Sequence, residues 1–305
     1  MRRHTWMTIA IALTGLAASC GASSAAAAQL PVIYNGAVGY AHASPTASPP
    51  GANDWACQPS SSHPRPVVLV HGTFADMSDS WQALSPLLHN HGYCVFALNY
   101  GGSAGSGAVG VDAVGDIAES AAQLSSFVDR VLAATGAEKV DLVGHSQGGM
   151  MPRYYLKYLG GAPKVGALVG LAPSNHGTTL NGLFTLSSYL PGASAFTGAL
   201  CPACQQQSAG SPFLTALNSG GETVPGVAYT VIESRYDEVV TPYTSAFLSG
   251  PGVTNILLQD QCPLDFGEHL SMPYDHIADA DVLTALDPAH PVHPACTPIA
   301  PVVGG

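Results

Sequence analysis

The pentapeptide Gly144-His145-Ser146-Gln147-Gly148 constrains the fold of this chain more than any other stretch, because of what stands on either side of it. Residues 139–143 before it read as a strand, and residues 149–159 after it read as a helix. A serine with a glycine two places before and two places after, set between strand and helix, marks a strained turn where side chains at the flanking positions would collide. Such a turn lifts the serine hydroxyl to the end of a sheet and aims backbone N–H groups and the positive end of the helix at it. The pentapeptide therefore requires α/β architecture and nominates Ser146 as a nucleophile.

The remaining chain keeps that rhythm. Val67-Val68-Leu69-Val70, a continuous apolar run after Pro66, reads as a buried parallel strand and as the start of regular structure. A polar loop over 71–80 leads to a helix over 81–91, carried by Trp81, Leu84, Leu87 and Leu88 and stopped by Gly92. A strand over 93–98 and a Gly/Ser loop over 99–110 follow. Val114, Ile117, Ala121, Leu124, Phe127, Val128 and Val131 then trace one face of a long helix ending near Gly136. Strands over 165–171, 226–233 and 253–259 and a last helix over 279–286 complete the pattern. It predicts a central, mostly parallel sheet of about six strands with helices on both faces. Residues 182–224 break the rhythm with Pro191-Gly192, two close cysteines and a glutamine run, and are expected to form an irregular, cap-like insertion. Residues 29–64, rich in Ala, Ser, Pro and Gly, are expected to wrap the surface as an arm, and residues 65–305 to form a single domain, for which a 47% hydrophobic composition provides the core.

Arg2 and Arg3 precede an apolar run from Met7 to about Ala18 and small residues up to Ala28, the pattern of a secretory signal peptide over residues 1–28. The run is too short to span a bilayer. A lipobox ending at Cys20 is the rival reading, but Ala17-Ala18-Ser19 lacks its leading leucine. The expected location is extracellular, with no integral membrane segment left after cleavage. Loss of residues 1–28 leaves seven basic and twenty acidic side chains, which argues against nucleic acid as a partner. Six cysteines remain, and an even number in an oxidising compartment implies disulfides. Fifteen pairings are open; the one that joins segments such a fold brings near one another is Cys57 with Cys94, Cys201 with Cys204, and Cys262 with Cys296. No second Cys/His pair stands at ligand spacing from Cys201 and Cys204, so no metal site is expected.

A serine hydroxyl needs a histidine base steered by a carboxylate, which in this architecture follow in the order Ser, Asp or Glu, His. Asp237 emerges just after the strand over 226–233 and is the expected acid; Glu233, Glu238 and Asp260 read as loop charges. His269 and His276 both follow the last strand, and spacing does not separate them, while His290 and His293 lie in a proline-rich tail. The Thr73 N–H, in His71-Gly72-Thr73 after the first strand, and the Gln147 N–H are the expected oxyanion donors, with Phe74 as the alternative to Thr73. His71 is expected to be structural and bonded to backbone, and Asn175 and His176 to steady a loop.

These residues resemble secreted bacterial lipases of class 2, of the actinobacterial type, within the α/β-hydrolase superfamily. The matching stretches are Pro66–Gly72, Gly144–Gly149, Pro173-Ser174-Asn175-His176-Gly177-Thr178 and Tyr236-Asp237-Glu238-Val239-Val240. In that family a short apolar run and a tyrosine follow the catalytic histidine. Glu268-His269-Leu270-Ser271-Met272-Pro273-Tyr274 fits this pattern, which selects His269 over His276. The resemblance implies hydrolysis of carboxylic esters with acyl chains and no catalytic metal; the two-step mechanism needs no cofactor, and a monomer is the default expectation. The insertion departs from small relatives that lack a full lid, and Leu183, Phe184, Leu186, Tyr189, Leu190, Phe196 and Phe213 are candidates to line an acyl pocket. A cell-envelope acyltransferase with the same acyl-serine is the competing activity. A binding protein on the same scaffold is the non-catalytic one.

Overall fold

A computed structural model describes residues 1, 29–102, 110–190, 193–196 and 200–305. The segment expected to be a signal peptide, with Cys20, and the Phe196 side chain lie outside the described residues. Six strands form one parallel sheet: β1 (Val67–Val70), β2 (Val95–Leu98), β3 (Val140–His145), β4 (Val165–Leu171), β5 (Ala228–Glu233) and β6 (Val253–Leu257), in the order β2-β1-β3-β4-β5-β6. The α-helices of the described residues are α1 (Gly36–His42), α2 (Met77–Ser80), α3 (Leu84–Asn90), α4 (Ile117–Thr135), α5 (Gln147–Tyr158), α6 (Leu180–Tyr189), α7 (Pro202–Gln206), α8 (Pro212–Asn218), α9 (Leu258–Gln261) and α10 (His276–Leu286).

The pleat divides the core in two, because successive strand residues point to opposite faces. Val68, Val70, Phe96, Leu98 and Leu142 pack with α4 and α5 on one face. Val67, Leu69, Val95, Ala97, Val143 and Leu171 pack with Trp81, α3 and α10 on the other. All four residues of β1 and of β2 are buried, as an apolar run without alternation requires when both faces are covered. The chain runs from β1 outward to β2 and then crosses to β3 on the other side of β1. That reversal opens a crevice at the carboxyl ends of β1 and β3, the usual position for a ligand site in an open α/β sheet.

Four readings need correction. Regular structure begins with α1, capped by the Asn35 side chain, ahead of Pro66. The segment expected as a loop and one helix is two helices: Asp76 caps α2 through a capping box with Asp79, and Trp81 ends it before α3 begins. The last helix starts at His276, because Asp275 accepts hydrogen bonds from the Ile277 and Ala278 N–H groups as its cap. The insertion carries short helices where an irregular segment was expected, α6, α7 and α8, each with a side-chain cap (Thr179, Cys201 and Ser211) and joined by turns where described.

Three disulfides join Cys57 to Cys94, Cys201 to Cys204, and Cys262 to Cys296. They tie the arm to the start of β2, staple α7 within itself, and hold the tail against α9. Among the described residues no helix is long and apolar enough to cross a membrane.

Candidate active site

Ser146 follows β3 directly and has φ 55° and ψ −121°, a left-handed conformation rare for a residue with a side chain. Such a backbone costs roughly 1–3 kcal/mol and persists only where its surroundings over-determine it. They do so here. The Ser146 N–H donates to the Leu171 carbonyl at 2.9 Å, at the end of β4, and the Ser146 carbonyl accepts from Gly149 at 3.0 Å. A Cβ on Gly144 would lie 1.8 Å from the Gly148 carbonyl oxygen, and one on Gly148 would lie 2.0 Å from that of Val70. The two glycines are therefore steric necessities of the turn.

The turn carries Ser146 to the amino end of α5. There the Gln147 N–H has no hydrogen-bond partner among the described residues, as the first helical residue leaves its donor free. At the end of β1, Gly72 brings the backbone close enough that a Cβ on it would lie 3.1 Å from Ser146 Cβ. The Thr73 N–H after it is likewise without a partner among the described residues. Phe74 is not available as the alternative donor, because its N–H donates to the Asp112 carbonyl at 3.0 Å. His71 is fully buried and bonds backbone, its Nδ1 donating to the Gly72 carbonyl at 2.9 Å.

Asp237 lies in the loop after β5 and His269 in the loop after α9, and the two meet. His269 Nδ1 donates to Asp237 Oδ2 at 2.8 Å, with both side chains excluded from solvent. Asp237 Oδ1 accepts from the Val239 and Val240 N–H groups, each at 2.7 Å, which fixes the carboxylate plane. His269 Nε2 is buried and has no hydrogen-bond partner among the described residues. His145 links His269 to the Ser146 turn: its Nε2 donates to the His269 carbonyl at 2.9 Å, and the two rings are 4.7 Å apart. Burial pushes the His145 imidazole far below its ordinary pKa, helped by His269 and His71, so it is neutral. For His269 burial also favours the neutral ring, but the charge and hydrogen bond of Asp237, with Glu238 and Glu268, outweigh it and raise the pKa.

Glu233 sits at the end of β5 and is wholly buried; desolvation, then the Asp237 charge, push its carboxyl far up, so it is a neutral acid. Glu238 is pushed up to about 8 by burial and by its contact with Glu268. Asp260 pairs with Arg235 at the surface. His276 is held by the tail, its Nδ1 donating to the Gly305 carbonyl at 2.7 Å, and His290 pairs with Asp287. His176 pairs with Glu222 and the Ser245 carbonyl, while Asn175 bonds the Ala246 carbonyl and Arg153, so both steady a loop.

Ser146 is only 3% exposed. It opens into a cavity of about 20 Å³ that Gly72, Thr73, His145, Leu186, Leu190 and Leu270 line together with Tyr40 of the arm. That volume holds a water molecule, not an acyl chain. Of the residues proposed for an acyl pocket, Leu186 and Leu190 reach this cavity. Leu183 is in the core, Phe184 and Tyr189 face solvent, and Phe213 stacks on Tyr154. Tyr40 escaped notice because nothing in a Pro/Ala-rich arm signals where it docks. Gln207, whose Nε2 donates to Thr73 Oγ1 at 2.8 Å, lies in the glutamine run of the insertion, where no spacing marks which of the three glutamines turns inward.

The model of a family described as lipase (class 2) matches residues 64–270, about two thirds of the chain. Two curated triacylglycerol lipases, from Pseudarthrobacter phenanthrenivorans and Burkholderia plantarii, are each 42% identical over 94 residues, which is 29% of this chain and 27% and 24% of theirs. The match therefore spans about a quarter of the length of those relatives. Among solved structures, Aspergillus fumigatus lipase B has a TM-score of 0.57 at 21% identity, covering 80% of this chain and 56% of its own. Bacillus licheniformis lipase BlEst2 in its mature form has 0.55 at 16%, covering 75% and 94%. Both share the α/β-hydrolase fold with the chain.

Proposed function

The chain belongs to the class 2 lipase family, and from that premise we propose that it is a secreted serine hydrolase of lipid-type carboxylic esters. The observation that carries the reading is the fully buried Asp237–His269 pair, whose imidazole lies 4.7 Å from the ring of His145, the residue before Ser146 in the strained turn. In this reading His269 takes the Ser146 proton as the hydroxyl attacks the ester carbonyl, and Asp237 holds the imidazole in the required tautomer and stabilises it when charged. The Thr73 and Gln147 N–H groups receive the oxyanion, assisted by the positive end of α5. The alcohol leaves with the proton from His269. Water, deprotonated by the same histidine, then cleaves the acyl-serine. An acyl chain can reach Ser146 only after Leu186 and Leu190 of the α6 segment, or Tyr40 of the arm, move aside. Residues 1–28 direct export and are removed after Ala28.

The test is hydrolysis of p-nitrophenyl butyrate and p-nitrophenyl palmitate by protein recovered from the medium, with Ser146→Ala, His269→Ala and Asp237→Asn alongside. We expect cleavage by the wild type and losses in kcat of at least about 10³-fold in each variant. Inactivity of the wild type towards both esters, or retention of activity by Ser146→Ala, would sink the reading. Acyl transfer to added glycerol in preference to water would make the enzyme an acyltransferase. A mature mass that still includes residues 1–28 would remove the export step.

A further inference from the structure

Thr73 does more in this structure than present its backbone. Its Oγ1 accepts a hydrogen bond from Gln147 Nε2 at 2.8 Å and another from Gln207 Nε2 at 2.8 Å. A hydroxyl has two lone pairs and one proton. With both lone pairs occupied by amide donors, the proton points along the remaining direction, and Thr73 lines the cavity in front of Ser146. We propose that Gln207, contributed by the insertion, is a positioning residue that commits the Thr73 hydroxyl proton to the oxyanion, so that one residue donates through both N–H and O–H. The inference rests on the serine-hydrolase reading above.

The orientation of each amide is dictated by its other partner. Ser174 Oγ donates to Gln207 Oε1 at 2.9 Å, and Gln207 Nε2 is also 3.3 Å from the Ala203 carbonyl. Turning the amide over would set its oxygen against the Ala203 carbonyl and leave the Ser174 hydroxyl facing a donor. Gln147 Nε2 likewise donates to the Ala113 carbonyl at 2.7 Å, which its oxygen could not replace. All three residues are at least 99% buried, so bulk solvent does not reach the two amide contacts to Thr73. Gln207 is itself held firmly. It is the carboxyl-terminal cap of α7, whose first turn the Cys201–Cys204 disulfide closes. Its carbonyl accepts from Thr178, and the preceding Gln206 bonds both Asp116 and the Ile117 N–H at the start of α4.

The discriminating variant is Gln207→Glu in the full chain, assayed for kcat and KM on p-nitrophenyl butyrate between pH 5 and 9. Protonated, the new carboxyl donates to Thr73 as the amide did. Ionised, it can only accept, and it captures the Thr73 proton. We expect the ratio of variant to wild-type kcat to lie near one at the acid end and to fall by about 10²-fold at the alkaline end, the effect of one lost oxyanion donor. KM should stay within about twofold throughout. In a Thr73→Val background, Gln207→Glu should add no pH dependence, since there is no proton to capture. If Gln207→Glu does not fold, the cycle of Gln207→Met with Thr73→Val replaces it, and strong non-additivity in kcat is expected. A pH-independent ratio, a loss confined to KM, or additivity in that cycle overturns the inference. Ser146→Ala separates this outcome from failure of the underlying reading: if it abolishes activity while the Gln207→Glu ratio is flat, only the role of Gln207 falls.

Discussion

The proposed acid and base, Asp237 and His269, are tuned by neighbours that a list of three candidate catalytic residues omits. Glu233 and Glu238, the two carboxyls beside Asp237, are raised by burial, and a neutral Glu233 next to Asp237 leaves the negative charge on the residue that pairs with His269. The net rise in the His269 pKa has a kinetic consequence of defined sign. In the proposed mechanism His269 works only when neutral, so activity is expected to fall as pH drops through its pKa, which lies above the ordinary 6.5. The acid limb of kcat/KM should therefore have its midpoint above 6.5, and a pH–rate profile with the limb at or below that value would contradict the arrangement. At this scale Ser146, Gly144 and Gly148 were legible from residue type alone, because a Cβ at either glycine cannot coexist with the turn. His269 and His276 were not separable by spacing. The family resemblance of the stretch after His269 favours it, and the folded chain sets different partners beside each: Asp237 for His269, the Gly305 carbonyl for His276.

The elements line their working ends along one edge of the sheet. Parallel pairing puts Val70 of β1 beside Gly144 of β3, so the loop bearing Thr73 and the turn bearing Ser146 emerge together. β5 and β6 end in register, Glu233 beside Leu257, and so deliver the acid loop and the segment leading to the base on the same side. The disulfides divide into two kinds on this map. Cys57–Cys94 and Cys262–Cys296 close 37- and 34-residue separations, whereas Cys201–Cys204 closes three. Restriction of the unfolded chain gives about 4 kcal/mol for each long closure and about 2 kcal/mol for the short one. Replacing each pair by serines should therefore lower unfolding free energy in denaturant by that ranking, while only the Cys201/Cys204 replacement lowers kcat, because α7 ends on Gln207. Equal losses of kcat for all three pairs would show that α7 has no special link to the site. Strand positions in this edge were readable from apolar runs. The short helices of the insertion were not, since their caps, Thr179, Cys201 and Ser211, and their few turns carry little apolar periodicity.

The molecule as a whole is acidic, with a formal charge of −11, and it buries many of its carboxyls without cations. Asp79, Asp275, Asp279 and Glu233 are pushed far up by desolvation, and Asp112 and Asp281 are pushed up to about 6 by the same cause. Each binds its proton more tightly folded than unfolded. The native state therefore holds more protons than the unfolded chain above about pH 4, and stability falls as pH rises from there through the folded pKa values. The raised His269 acts with the same sign. We expect the Tm to be higher at pH 5 than at pH 8 by on the order of 10 °C, and calorimetry showing the reverse order would mean that these carboxyls are ionised in the folded protein.

What the sequence by itself determined was everything that follows from local sterics and one-dimensional pattern. The strand-to-helix turn at Ser146 is a matter of missing Cβ atoms, and the inner strands of the parallel sheet are a matter of largely apolar runs separated by helices. Tertiary structure decided which distant groups meet: the pairing of Asp237 with His269 rather than another acid or base, the docking of Tyr40 and Leu190 over the nucleophile, and the hydrogen bonds from Gln147 and Gln207 to one threonine hydroxyl. Hydrogen bonds and cavity contacts depend on positions fixed to a fraction of an ångström across 32 to 150 residues of chain. No spacing rule reaches that far.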